Sequence, residues 1–295
     1  MQRQIIVFFL SLFWMLAGPA FGADRGALFK VTGNGHSMYL FGTMHVGQPG
    51  FYPLEPRIAG AVAGASTLAL EIDPLADPAA MAGALRAYGM ATPGASIDKL
   101  SPALRNRLNK ALAKAGMEAS SVAPLKPWLI ATVLAIAEYA AQGYRAELSV
   151  DSHLAQLAKA NKVPIVALET PASQMGLFNR LSEAEQMQFL EESIAMIETG
   201  KQNSEVRQIV EAWRTADKGA FDAIARRAET DVSVSGKFVK TVLLDERNVA
   251  IADKLASLLQ RLDRSVAAIG VLHLVGNNSV PALMQQRGLT VERVY

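Results

Sequence analysis

The sequence contains no cysteine, so disulfides and a lipid-bearing cysteine are both excluded. Histidine is scarce, with only His36, His45, His153 and His273. Neither charge sign dominates. Lys+Arg number 29 against Asp+Glu 27, and the pI near 8.8 reflects that small excess and no basic patch. Nothing in this balance points to a nucleic-acid partner. No low-complexity linker interrupts the chain, which reads as one domain after its leader.

What is present begins with "IIVFFLSLFWMLAG", preceded by Arg3 and followed by Ala20-Phe21-Gly22. A short basic start, an apolar stretch and small residues form a secretory signal. The stretch ends at Gly18-Pro19 and is shorter than the roughly 20 residues of a spanning helix. Residues 1–22 are expected to be a cleaved signal peptide and 23–295 a single exported domain. A retained anchor is the rival. An exported protein without disulfides fits the periplasm of a Gram-negative bacterium, with no stable membrane span after cleavage. Hydrophobic residues at 51% support a folded chain of ample core.

"ALFKVTGNGHSMYLFGTMHV" reads as a β-hairpin about Gly33-Asn34-Gly35. A helix over "LEPRIAGAVAGA" and a strand in "STLALEID" follow. Residues 75–160 and 181–260 read as mostly helical, with Ser101-Pro102 and the Ser182/Glu185 capping box as helix starts. "WLIATVLAIAEYAA" follows Pro127 and is interrupted by Glu138, so it reads as a buried helix. "VPIVALET" reads as a further strand. The end, "IGVLHLVG" onward, repeats the opening plan. Aligning Gly42 with Gly270 and His45 with His273 gives two strand–Gly-x-x-His–helix–strand units flanking a long helical insertion. The fold class expected is α/β: a central mixed sheet surrounded by helices, with strands at 38–42, 67–71, 164–168 and 266–270 in one sheet.

α/β proteins place ligand chemistry at the carboxyl ends of strands. His45 and His273 stand there, each after a glycine that lets the backbone turn or pack closely. Glu71 ends the strand after the first unit and is the best carboxylate partner; Asp73 and Glu169 are further acids at strand ends. Two histidines and a carboxylate form a common divalent-metal set, and a second carboxylate can then serve as base. Arg247, with Asn248 beside it, lies among the packing positions Leu243, Leu244, Val249 and Ile251. There it needs an acidic partner or an anionic ligand, unless it lies on an ordinary solvated face. His36 and His153 read as structural.

"YLFGTMHVG", "LALEID", "LKPWLIATVLA", "VDSHLAQLAKANKVPIVALET", "EAWRTADKGAFDAI", "LLDERNVAIADKL" and "IGVLHLVGNNSVPALMQQRGLTVERV" together resemble, in order, the TraB/PrgY/GumN family. The paired Gly-x-x-His motifs with a glutamate between them are that family's hallmark. The resemblance implies functional roles for Gly42, His45, Glu71, Arg247, Gly270 and His273. Animal TIKI members are metal-dependent proteases, which implies a divalent ion (manganese, cobalt or zinc) and a peptide or protein substrate. More distant kinship with erythromycin esterases and a haem-binding lipoprotein implies two alternatives: metal-independent hydrolysis, or sequestering of a peptide or haem. The function expected is a metal-dependent, peptidase-like hydrolase with His45, His273 and Glu71 on the metal and Arg247 and Glu169 assisting.

Overall fold

A computed structural model describes residues 24–92 and 99–295; the expected signal peptide lies outside them. The chain opens with the hairpin of β1 (Leu28–Gly33) and β2 (His36–Thr43), paired antiparallel from Leu28↔Phe41 to Gly33↔His36. Asn34 and Gly35 take φ of 55° and 79° at its tip. Two successive positive φ values make a turn whose twist matches that of the strands, and Asn-Gly is the pair that tolerates it.

Four more strands complete one sheet: β3 (Leu68–Leu70), β4 (Ile165–Ala167), β5 (Ser265–Gly270) and β6 (Thr290–Arg293). Their order is β4-β3-β5-β2-β1-β6. β4, β3, β5 and β2 are parallel neighbours, and β1 pairs antiparallel with both β2 and β6. All four strands expected to share a sheet do so. β3 and β4 are shorter than expected, although Glu169 N–H still donates to Glu71 O at 2.7 Å just past their ends. β5 is buried along its whole length, as a central parallel strand must be when helices cover both faces.

The first unit runs β2, helix Pro56–Ala63, β3, and the last runs β5, helix Val280–Gln286, β6. In the parallel ladder Gly42 lies opposite Ile269 and Gly270 opposite Thr43, so the two motif glycines stand one residue out of register. The destinations differ too, since β3 lies against β5 while β6 crosses to the far edge beside β1.

The intervening helices start where the sequence signals. Ser101 accepts from Leu104 N–H at 3.2 Å, and Ser182 and Glu185 close a reciprocal capping box. One hydrophobic core joins the sheet to its covering helices through Phe41, Ile58, Leu154, Trp213 and Leu255. A second lies within the helical insertion, around Leu108, Leu112, Ile130, Leu190 and Ile194. Helix Pro127–Ala141 contributes Trp128, Ile130, Ala131 and Leu134 to the interior, and its Glu138 meets Lys114 at 2.7 Å. No described helix is long and apolar enough to cross a membrane.

The stretch containing Arg247 departs from an unbroken α-helix. A helix over Val234–Phe238 widens into π-helical turns at Val239–Glu246 before α geometry resumes over Arg247–Arg261. The wider i→i+5 hydrogen bonding rotates the side chains relative to a 3.6-residue pattern. Within Arg247–Arg261, Asn248 shares the buried α-helical face of Ile251, Ala252 and Leu255, so Val249, expected to pack, is exposed while Asn248 turns inward.

Candidate functional site

The strand order builds the site. β5 inserts between β2 and β3, so the carboxyl ends that carry His45, Glu71 and His273 stand side by side. Glu71 is the centre. Its Oε1 accepts from Gly270 N–H at 2.6 Å, and its Oε2 accepts from Gln174 Nε2 at 3.2 Å and from the Arg247 guanidinium. His45 Nε2 lies 3.8 Å from Oε1, and His273 Nε2 lies 3.8 Å from Oε2.

Each imidazole is held from behind. His45 Nδ1 lies 3.0 Å from Asp151 Oδ2, and Asp151 Oδ1 accepts from the Thr43 hydroxyl at 2.7 Å. His273 Nδ1 lies 2.5 Å from Asn248 Oδ1. Asn248 Nδ2 donates to Asn278 O at 2.8 Å, which fixes the amide so that its oxygen faces the ring. A carboxylate and an amide oxygen only accept, so both Nδ1 atoms are donors. When neutral, each ring then turns its Nε2 lone pair to Glu71.

Arg247 completes the arrangement. Its Nε donates to Glu169 Oε1 at 3.0 Å and its Nη2 to Glu169 Oε2 at 2.5 Å, besides reaching Glu71. Gln174 Nε2 also meets Glu169 Oε2, at 3.0 Å. The solvated-face reading of Arg247 is thereby replaced by the acidic-partner reading. His273, Glu71, Glu169 and Arg247 are largely buried, with side chains 4%, 6%, 10% and 13% exposed; that of His45 is 64% exposed and forms the open side.

Charge follows from these contacts. Burial alone would push the Glu71 carboxyl up, but His45, His273, Arg247 and the Gly270 N–H outweigh it and hold the group near 2. Burial pushes His273 down to about 4, so it is neutral at pH 7 and the effective cations beside Glu71 are His45 and Arg247. The Asp151 carboxylate beside its Nδ1 raises His45 to about 9. Burial lowers Arg247, yet Glu169 and Glu71 more than compensate and its pKa stands above the usual value.

The two motif glycines act across the site. A Cβ on Gly270 would lie 3.1 Å from both Glu71 Oε1 and His45 Nε2. A Cβ on Gly42 would meet Val271, in the turn that carries His273, at 2.7 Å. Each glycine makes room for the other unit. Asp73 stays outside, accepting from Leu75 N–H at 2.8 Å. So do His36, whose Nδ1 lies 2.8 Å from Leu259 O, and His153, stacked on Tyr52 at 4.2 Å. Sequence reading missed Asp151, Thr43 and Gln174. Nothing in their spacing ties them to His45 or Glu71.

Comparison with known proteins identifies the lineage. The TraB/PrgY/gumN family pattern matches residues 27–293, nearly the whole chain. The chain belongs to this family. It is 25% identical over 256 residues to proteins named "Uncharacterized protein YbaP" from Shigella flexneri and Escherichia coli (strain K12), covering 86% of this chain and 89% of each of theirs. No solved structure matches the chain.

The donor chemistry fits a divalent ion. Two imidazole Nε2 atoms face one carboxylate, and both Nδ1 atoms carry the oxygen partners that orient metal-bound histidines. Among the described residues, no group of three His, Cys, Asp or Glu side chains is placed as it stands to hold a metal ion. Glu71 is shared with Arg247, so the set would close by an exchange of partners.

Proposed function

We propose that the chain is an exported hydrolase of peptides or proteins, with a divalent metal ion, manganese, cobalt or zinc, held by His45, His273 and Glu71. One observation carries the reading: two imidazoles from opposite ends of the chain turn their Nε2 atoms to the two oxygens of one buried carboxylate. When bound, such an ion polarises a carbonyl and lowers the pKa of a bound water. The chain's own residues do the rest. His273 is neutral at pH 7 and offers its lone pair without first losing a proton. Arg247 sets its single positive charge between Glu71 and Glu169, which relieves the repulsion between the two carboxylates and leaves their cluster net negative, as suits a site for a cation. Glu169 and Gln174 fix that guanidinium and carboxylate in place; with both oxygens accepting from Arg247, Glu169 serves better as an anchor than as a base. Export rests on the leader at residues 1–22.

A second reading draws support from the His45–Asp151 pair, in which an exposed imidazole is backed by a carboxylate. That pair is a general acid–base device without metal. Metal analysis of the purified protein, with casein cleavage measured with and without chelator, separates the readings. The first expects metal bound to the wild type, its loss in His45→Ala and His273→Ala, and cleavage that stops with chelator. Chelator-insensitive cleavage by a metal-free protein overturns it in favour of the acid–base pair. Metal-replete protein with no cleavage of any peptide tried favours sequestering.

A further inference from the structure

We propose that Asp151 is the positioning residue for His45, and that the insertion segment 145–151, together with β2, sets where this imidazole stands. The inference rests on the reading of His45 as a working residue of the site.

His45 has little of its own to hold it. It lies two residues beyond β2, in a bend, and its side chain is 64% exposed, so packing does not select its rotamer. An exposed side chain on a loop samples several staggered wells, and a working group needs its supporting shell to choose one. The Asp151 carboxylate makes that choice. One oxygen accepts from His45 Nδ1 at 3.0 Å and the other from the buried Thr43 hydroxyl at 2.7 Å. A single carboxylate thus bridges the last residue of β2 and the histidine two positions on. An ionised acceptor makes this a charge-assisted bond, stronger than one to a neutral oxygen.

The backbone of the same segment locks the loop on both sides of His45. Val150 N–H donates to Met44 O at 3.0 Å. Gly47 and Arg145 exchange two bonds, at 2.9 and 2.8 Å, and the Tyr52 hydroxyl donates to Leu148 O at 2.6 Å. The approach is so close that a Cβ on Gly47 would lie 1.8 Å from Leu148 O.

An ordinary role for Asp151 would be to favour the N-terminus of helix Val150–Ala160 through its charge. That helix is capped by Ser149, which accepts from Ser152 N–H at 3.2 Å, and the Asp151 oxygens go instead to Thr43 and His45. His273 has the corresponding support from Asn248. Two imidazoles in one crevice are thus oriented by different chemistry, a carboxylate for the exposed ring and an amide for the buried one.

The test uses full-length protein labelled with 15N-histidine and treated with chelator. The wild type should show a low-field, slowly exchanging Nδ1 proton on His45, assigned by its loss in His45→Gln. Asp151→Ala should abolish that signal, and the isosteric Asp151→Asn should shift it and speed its exchange. The corresponding His273 signal should not move. Zinc titration by calorimetry should then give affinity about 10–100-fold weaker in Asp151→Ala. An unchanged His45 signal in folded Asp151→Ala overturns the proposal. Should Asp151→Ala not fold, an unchanged signal in Asp151→Asn does the same. Failure of the wild type to bind zinc counts against the metal reading alone, because the His45 signal still decides the role of Asp151.

Discussion

Arg247 places one positive charge between two buried carboxylates, Glu71 and Glu169. Its forked guanidinium reaches both, which an ammonium group cannot copy. Arg247→Ala leaves two carboxylates facing the same small volume without a cation on the far side from His45. The expected cost is about 3–5 kcal/mol in urea unfolding, the range for breaking a buried pair from one side. Adding Glu169→Gln should recover part of that loss, and Arg247→Lys should fall between wild type and Arg247→Ala. A cost within about 0.5 kcal/mol for Arg247→Ala would place this residue with ordinary surface positions and undo the argument. At this scale the sequence was readable where chemistry sits next to a strand end. Glu71, Glu169, His45 and His273 all carry that mark, and Arg247 and Asn248 stood out among apolar neighbours. Asp151 carries no such mark. It looks like any acid in the first turn of a helix, and its meaning comes only from where residue 45 lands.

The elements meet through their glycines. β2 approaches the turn after β5 so closely that a methyl on Gly42 would sit 2.7 Å from Val271 Cγ2 and 3.0 Å from its Cβ. Gly42 O is also pinned by Trp213 Nε1 at 2.8 Å, so β2 cannot simply retreat. Gly42→Ala should therefore cost about 1–3 kcal/mol, the usual penalty for overpacking a tight interior. Val271→Ala should relieve part of it, leaving the double variant more stable than the two single losses predict. Strict additivity in denaturant unfolding would show that the two elements do not press on each other. The strands and hairpin were legible because β-rich runs end at turn formers. The one-residue offset between the two Gly-x-x-His units was not, because motif alignment says nothing of ladder register. The π-helical turns before Arg247 were equally hidden, since i→i+5 bonding leaves no mark in composition. Val249 and Asn248 exchange places between surface and interior for a plainer reason: Asn248, not Val249, shares the α-helical face of Ile251 and Leu255.

At the scale of the whole molecule, the two histidines should shape the pH dependence of folding from opposite sides. In the chelator-treated protein, burial, set against Glu71 and Glu169 and assisted by Arg247 and His45, puts His273 near 4, against an ordinary 6.5. The unfolded chain then binds more protons between those values, so stability falls as pH drops from 6.5 towards 4. The shift corresponds to on the order of 3 kcal/mol. His153, lowered by burial, acts in the same direction, whereas Glu55, raised by burial, acts in the opposite one. His45 faces Asp151, Glu71 and Arg247, and Asp151 takes it up to about 9. Here the native state holds the extra proton, so its contribution is complete below 6.5 and fades as pH rises towards 9. Glu71, held near 2, keeps its contribution above its ordinary 4.5 and loses it only in stronger acid. The urea midpoint should accordingly peak near pH 6.5 and decline on both flanks. His273→Gln should flatten the acid flank relative to wild type, and His45→Gln the alkaline flank; because His45 also helps to lower His273, its loss should in addition make the acid flank somewhat shallower. An acid flank that persists in full in His273→Gln would mean that this imidazole is not held neutral by burial, and the account of its free lone pair would fall with it.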